Sequence, residues 1–457
     1  MTENPCIVNV QGVITMFTNK DLKDMMVPLF FEQLLVMMVG IADTFVVSYA
    51  GEAAVSGVSL VNMFNTIFIY LFTALASGGS VVISQYIGRK DEKNSSLSSS
   101  QLLMISTVFS LVITVVVLVF NTTILRLLFG KVDNDVMSAA VTYLRISAYS
   151  YPFIAICNAG AALYRSMGKT STTMYVSLWS NVINVIGNCL GVFVLHAGVA
   201  GVAYPSLLAR AFSAIVITIL CFNKAREVHY TWEDTFAWDA PMLKTILKIA
   251  VPNGVENGIF QFVKVALSSI VALFGTYQIA ANGVAQSIWS LAAISGAVMA
   301  PIYITVIGQC MGANDTRAAN MYFHKLMKWT LIISVAWNAL ILAVTPVILH
   351  FYVLSNETKQ LVFILVLIHN IFNAFVYPFS GPLSSGLRAT GDVRFTMNVP
   401  VISTIAVRLV LSVFFGIVLN MGVIGIAFAM CADWLVRALL FLPRTLKGTW
   451  REFQVIH

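Results

Sequence analysis

SQYIGRKD, residues 84–91, returns in the second half of the chain as GQCMGAND, residues 308–315. Gln85, Gly88 and Asp91 fall on Gln309, Gly312 and Asp315. At the same shift Pro28 meets Pro252, Glu32 meets Glu256, and LHAGVAGVA (195–203) meets LNMGVIGIA (419–427). Arg165 of YRSMG meets Arg388 of GLRATG after a slip of one residue. Landmarks at one shift across a whole half mark an internal duplication.

The duplicated material is apolar. Of 457 residues, 58% are hydrophobic and 10% charged, and the mean hydropathy is +0.85. A soluble surface for a chain this long needs far more charge. Blocks such as Met104–Phe120 and Leu331–Ile348 approach the roughly 20 residues that carry a helix across about 30 Å of hydrocarbon. The short alternating stretches of a closed β-barrel are missing. We place twelve spans at 24–49, 55–86, 98–120, 138–163, 173–195, 199–222, 246–273, 282–310, 323–349, 360–386, 396–419 and 422–443. Basic residues crowd one set of loops, with Arg89, Lys90, Lys93, Arg165, Lys169, Lys224, Arg226, Arg388 and Arg394, and both tails. The other set holds Arg126, Lys131 and Lys359. This positive-inside bias predicts both termini in the cytoplasm and an even number of spans. Each half then has six spans in one orientation, so the repeats are parallel.

The fold class expected is therefore an all-α membrane protein of twelve transmembrane helices in two parallel six-helix repeats. Residues 1–222 form an N-terminal six-helix lobe with a short cytoplasmic tail. Residues 223–245 form a cytoplasmic linker, with a surface helix beginning near Asp239 and Pro241, and 246–457 form the C-terminal lobe. Met1–Asn19 shows no cleavable signal peptide and reads as a short interfacial helix or a frayed tail.

Charge inside a span is costly and needs a reason. Asp43 lies well inside span 1, in GIADTFVV, with no basic residue within a helical turn. Such a carboxyl can exchange a proton or hold Na⁺ with neighbouring oxygens; the alternative is a neutral Asp that pins helices together. Oxygen partners are available in Tyr143, in Asn184 and Asn188, four apart and on one helix face, and in Ser206. Interhelical hydrogen bonding alone is an equal reading of these four. Glu32, Glu256, Lys264, Arg408 and Asp433 form a second set, charged or gating candidates. Glu256 and Lys264 share a face but lie about 12 Å apart along the axis, too far to pair. Asp433 is a plausible partner for Arg408. Glu32 and Glu256 occupy equivalent repeat positions, which favours a shared structural or gating role over contact with substrate. Pro28, Pro252 and Pro205 can bend their helices. Ser77–Ser80, SGGS, allows close helix packing and lacks the Gly-Lys-Ser/Thr of a phosphate loop.

Other chemistries find no support. The cysteines (Cys6, Cys157, Cys189, Cys221, Cys310, Cys431) are scattered and read as buried thiols without a metal site. The six histidines are isolated, and no hydrolase or ATP-binding motif occurs. The net charge of +7 lies between apolar blocks, which argues against nucleic acid. We expect no enzyme activity, no cofactor, and an ion gradient as energy source.

VPLFFEQLLVMMVGIADTFVVSYAGEAAVSGVSL (27–60), SQYIGRKDE, ALYRSMGKTSTTM, VPNGVENG and SSGLRATGD together resemble the multidrug and toxic compound extrusion (MATE) transporters, over about residues 21–445. The resemblance implies a V-shaped pair of six-helix lobes in the bacterial inner membrane. It implies export of amphipathic, often cationic organic compounds in exchange for H⁺ or Na⁺. It also assigns the coupling-ion site to Asp43, Tyr143, Asn184, Asn188 and Ser206. Asn188 stands where the family's paired motif has an Asp, which removes a carboxylate and favours H⁺. The acids of the Na⁺-coupled branch in spans seven and ten fall near Phe260 and Tyr377, so a C-terminal Na⁺ site of that kind is not expected. The partners expected are small organic substrates and the bilayer, with the chain a monomer. The alternative within the same superfamily is a flippase for lipid-linked saccharides or lipids.

Overall fold

The computed structural model describes residues 8–10, 13–130, 132–352 and 354–456, with the backbone alone for 8–10 and 13–15. Cys6, Lys131 and His457 lie outside the described residues. Eleven described helices are long and apolar enough to cross a membrane, and a bent pair makes the twelfth. In chain order the spans are Asn19–Ser48, Glu52–Gly88, Glu92–Phe129, Asn134–Ala148 with Tyr151–Ser166, Thr170–Val194, Ala200–Cys221, Ala240–Phe274, Thr276–Gly312, Thr316–Phe351, Asn356–Phe375, Val393–Val418 and Gly422–Lys447. Each coincides with an expected span and mostly runs past it, because polar end turns are helical without being apolar. The N-terminal segment corrects an expectation. In its described part Val8–Val10 pairs antiparallel with Val13–Thr15, where a helix or a frayed tail was expected, and residues 1–7, 11 and 12 lie outside the described residues. The tail is then tied down at Phe17, whose N–H donates to the Tyr322 hydroxyl at 2.7 Å.

The duplication is written in the backbone. Non-glycine residues with positive φ come in pairs at the repeat shift: Lys90 with Asn314, and His196 with Asn420. So do Gly51 with Gly275 and Gly198 with Gly422. Left-handed residues are rare, so their recurrence shows one turn geometry built twice. After Lys90 and Asn314 come two N-caps. The Asn94 N–H donates to Asp91 Oδ1 at 3.1 Å, and the Ala318 N–H to Asp315 Oδ1 at 2.8 Å. The Asn94 side chain first, and its backbone N–H second, hold the Asp91 carboxyl below the usual carboxylate range. That cap is intact at neutral pH and fades as pH falls through the lowered value. Even π-helical turns recur at this shift, with Leu190–Val194 answered by Phe414–Val418.

The bend of 44° in span 4 falls at Tyr149–Ser150, ahead of Pro152. A YPF triplet marks it and recurs as Tyr377-Pro378-Phe379, where span 10 also breaks. Pro28, Pro252 and Pro205 instead lie inside continuous helices.

The chain forms two compact units. One is Val27–Gly254; the other joins Val255–His457 to the segment up to Met26. The limits fall inside spans 1 and 7, a short step from Pro28 and Pro252, and not in residues 223–245. No separate surface helix starts near Asp239 and Pro241. Asp239 caps span 7 itself, accepting from the Met242 N–H at 2.9 Å, and that helix runs on unbroken. The preceding segment carries one short helix, Trp232–Phe236, and is held to span 3 by Gln101, whose amide donates to the carbonyl oxygens of Asp234 and Ala237 at 2.5 and 2.7 Å.

Within the first unit, glycines set how closely helices approach. A Cβ on Gly78 would lie 2.7 Å from Ala250, and one on Gly79 would strike Leu102, which accounts for SGGS. Spans 5 and 6 touch backbone to backbone, where a Cβ on Gly201 would sit 2.6 Å from the Gly191 carbonyl oxygen. Gly425 repeats this contact against Phe415 and Gly416 in the second unit. Gly201→Val is therefore expected to destabilise by about 1–3 kcal/mol or more. Gly283→Ala, with no atom within 4 Å of the added methyl, should leave stability unchanged or raise it slightly. Thermal unfolding in detergent separates the two; equal melting temperatures would refute the packing argument.

Candidate functional site

Four of the five residues proposed for ion coupling form one hydrogen-bonded chain in the first unit. Asn188 Nδ2 donates to Asp43 Oδ1 at 2.6 Å and to Asn184 Oδ1 at 3.1 Å. Asn184 Nδ2 donates to Ser206 Oγ at 2.9 Å. The chain thus ties spans 1, 5 and 6. The i, i+4 spacing of Asn184 and Asn188 puts both amides on one face, and both are buried. Tyr143 of span 4 is buried beside the chain, close enough to feel the charges of Asp43 and Arg210, but makes no hydrogen bond to it.

Among the described residues Asp43 makes no ion pair. The positive charge that acts on it is Arg210, which the sequence reading missed although it lies inside span 6, one turn beyond Ser206. The guanidinium is engaged elsewhere: Nη1 donates to Ser150 Oγ at 2.6 Å, at the break in span 4. Ser150 in turn donates to the Ser147 carbonyl, and Tyr151 donates to Asn65 Oδ1 at 2.6 Å. Asp43 therefore has a positive field nearby without a locked partner. Asn188 Oδ1 is buried and has no hydrogen-bond partner among the described residues. An amide carries a donor and an acceptor at its two ends, and their assignment follows from the network around them. As placed, Asn188 donates to a carboxylate. Turned over, it would accept from a protonated Asp43 or share a cation with it. The site can thus satisfy both protonation states by rotating one side chain.

Two further pairs of intramembrane charges mirror the repeat. Arg165 Nη2 bonds Glu32 Oε1 at 2.6 Å, with the Thr173 hydroxyl donating to Oε2 at 2.8 Å. Arg388 Nη2 bonds Glu256 Oε2 at 2.5 Å. Both pairs join the first helix of a repeat to an arginine on the helix that follows the break in its fourth span, Tyr151–Ser166 for Arg165 and Pro382–Thr390 for Arg388. The expected pairing of Arg408 with Asp433 is not what forms. Asp433 binds Arg437 on its own helix, with Nη2 to Oδ2 at 2.8 Å and Nε to Oδ1 at 2.9 Å, and Ser403 donates to Oδ1 at 2.5 Å. An i, i+4 partner on the same helix is preorganised, whereas Arg408 would have to displace it. Arg408 lies instead over the Phe260 ring, 5.1 Å from its centroid.

Twelve membrane-length spans, built as two copies of one pattern and carrying Asp43 well inside span 1 without an ion pair among the described residues, define a multi-pass membrane transporter. Residues 28–190 and 252–414 each match the MatE family model, again at the repeat shift and together more than half the chain. The chain belongs to that family. It is similar to the uncharacterized transporter YisQ of Bacillus subtilis (25% identical over 93% of each chain). It is also similar to the probable multidrug resistance protein NorM of Thermotoga maritima (22% identical, covering 96% of this chain and 94% of that one). The solved outward-facing structure of a multidrug resistance MATE family transporter has the same fold, with a TM-score of 0.88 at 20% identity over 95% of this chain and 96% of that one.

Breaking a buried ion pair on one side leaves a stranded charge, which typically costs about 3–5 kcal/mol, whereas removing both partners costs little. Glu256→Ala is expected to lose stability of that order, and Glu256→Leu with Arg388→Met to recover most of it. Melting temperatures of the three proteins in detergent test this; a double variant as unstable as the single one would show that the pair carries no such role.

Proposed function

We propose that the chain exports amphipathic, often cationic organic compounds across the bacterial cytoplasmic membrane in exchange for H⁺ or Na⁺. The observation that carries this reading is the unpaired Asp43 at the end of the Asn188–Asn184–Ser206 chain. A carboxylate in a span cannot stay bare, so its charge is met by an ion from outside. In this scheme an external cation arrives at Asp43, the Asn188 amide turns to suit the neutral site, and spans 1, 5 and 6 readjust. Exchange follows if ion and substrate favour different conformations. Having one carboxyl where the family motif has two favours H⁺. Tyr143 closes the site from span 4. The loop charges support cytoplasmic termini. The related multidrug resistance proteins support the substrate class.

A lipid or lipid-linked saccharide flippase is the second reading. One observation favours it: Lys264 and Arg408 are cations without an acidic partner among the described residues.

The test is efflux of ethidium from proteoliposomes under separately imposed proton and sodium gradients. Wild-type protein should export under at least one. Asp43→Asn, with an unchanged elution profile and melting temperature, should fall to the leak rate. Gradient-driven efflux by Asp43→Asn at the wild-type rate would overturn the assignment.

A further inference from the structure

The second unit carries a polar cluster whose charge is the reverse of the first. Arg408 is only 8% exposed, and its Nε has no hydrogen-bond partner. No hydrogen bond or ion pair holds its guanidinium among the described residues, and its contact with the face of Phe260 leaves the N–H edges free. His369 is 1% exposed, and neither ring nitrogen has a partner. The Ser412 hydroxyl, one turn beyond Arg408, is buried and unpartnered as well. Arg408 is near enough to both His369 and Lys264 to act on them electrostatically. Lys264 is exposed, about 15 Å from the end of span 7 at Phe274, and Arg408 is about as far from the end of span 11 at Val418. An ammonium at that depth does not face hydrocarbon, so this face meets water or a ligand. The neighbouring Asp433 is already matched by Arg437, which leaves the surplus positive charge on Arg408 and Lys264.

The repeat gives this cluster its counterpart in the first unit. Ser412 corresponds to Asn188, and Arg408 to Asn184, at the shift that carries Asp91 onto Asp315. His369 precedes the Tyr377-Pro378 break by the same interval that separates Tyr143 from the Tyr151-Pro152 break. Leu267 replaces Asp43 at the repeat shift. The cluster therefore occupies the position of the Asp43 site, with bases in place of the acid. The local helix is also modified. Spans 5 and 11 begin at Thr170 and Val393, one short of the repeat shift, but their terminal π-helical turns at Leu190–Val194 and Phe414–Val418 keep it in full. The extra residue is absorbed by a further π-helical segment, Ser403–Leu409, which carries Arg408. Such insertions are frequent at functional sites because they re-aim one side chain without breaking the helix.

We propose that this cluster binds the oxyanion group of a substrate, a carboxylate or a phosphate, with Arg408 as the main contact and Lys264 and His369 beside it. The inference rests on the transporter reading above and adds the charge of the group the second unit receives. The oxyanion belongs either to a free amphiphile or to a lipid headgroup, and both present the same chemistry to a guanidinium.

The experiment is calorimetric titration of the purified full chain in maltoside detergent with octyl phosphate, octanoate and octyltrimethylammonium. The two anions should bind. Arg408→Gln should weaken both by about tenfold or more, and Lys264→Gln by a few-fold, with wild-type binding itself weaker at high salt and the gap between wild type and variants narrowed. Arg408→Lys should keep part of the affinity, which guards against reading a misfolded variant as lost binding, and melting curves accompany each protein. Octyltrimethylammonium binding should not fall in Arg408→Gln. Repeating the titration in nanodiscs of phosphatidylglycerol and of phosphatidylcholine identifies the source. Arg408-dependent competition by phosphatidylglycerol assigns the site to a headgroup, and its absence assigns it to a free amphiphile. A folded Arg408→Gln protein that binds octyl phosphate as tightly as wild type overturns the proposal. So does wild-type protein that binds neither anion. Neither outcome bears on ethidium efflux through Asp43, and failure of that efflux test leaves the titration standing.

Discussion

Inside a bilayer a charge must find its opposite within the protein, and this constraint orders the molecule. Water cannot relieve a stranded ion, so the intramembrane acids and bases either pair or mark a place where something else arrives. Glu32 with Arg165, Glu256 with Arg388 and Asp433 with Arg437 meet the constraint internally. Two groups do not. Asp43 has only amides and a positive field, and Arg408 has only an aromatic face. The paired charges tie helices together, and the unpaired ones are the groups on which the proposed chemistry rests.

The scaffold was legible in the sequence because its landmarks are residues the backbone itself demands. Asp91 and Asp315 recur because both cap a helix after a left-handed turn. The LHAGVAGVA and LNMGVIGIA stretches recur because a positive φ and a backbone-to-backbone helix contact sit inside each. Such requirements do not depend on what the protein transports, so they outlast divergence of everything around them. Helix ends were less legible, since capping turns are polar and escape a reading based on apolar runs.

The site was half legible. Asp43 stood out by its solitude, and Asn184 and Asn188 by their spacing, because both signals are local. Partners brought together across more than a hundred residues leave no local trace: Arg165 meets Glu32 from 133 residues away. Their equivalence across the repeat was visible, but equivalence does not say that two equivalent residues touch two others. Arg437 is a different case. It lies four residues after Asp433 on an evident helix, so helical periodicity carried the signal that the expected Arg408 pairing overlooked. Arg210 was likewise visible as a charge within a span. The break at Ser150 had its own signal in the repeated YPF, since proline disfavours helix in the residue before it.

Duplication gives a protein two copies of one architecture, and the cost of a buried charge then works in favour of divergence. A copy that loses its acid, as Leu267 in place of Asp43 does, no longer needs a cation. The same position can then accept a base, provided an anion satisfies it. One extra residue, taken up as π-helical turns at Ser403–Leu409, carries the arginine without disturbing the caps and turns at either end of span 11. A scaffold whose symmetry lies in its turns, and whose charges are free to differ, can therefore present opposite polarities at equivalent positions of its two repeats.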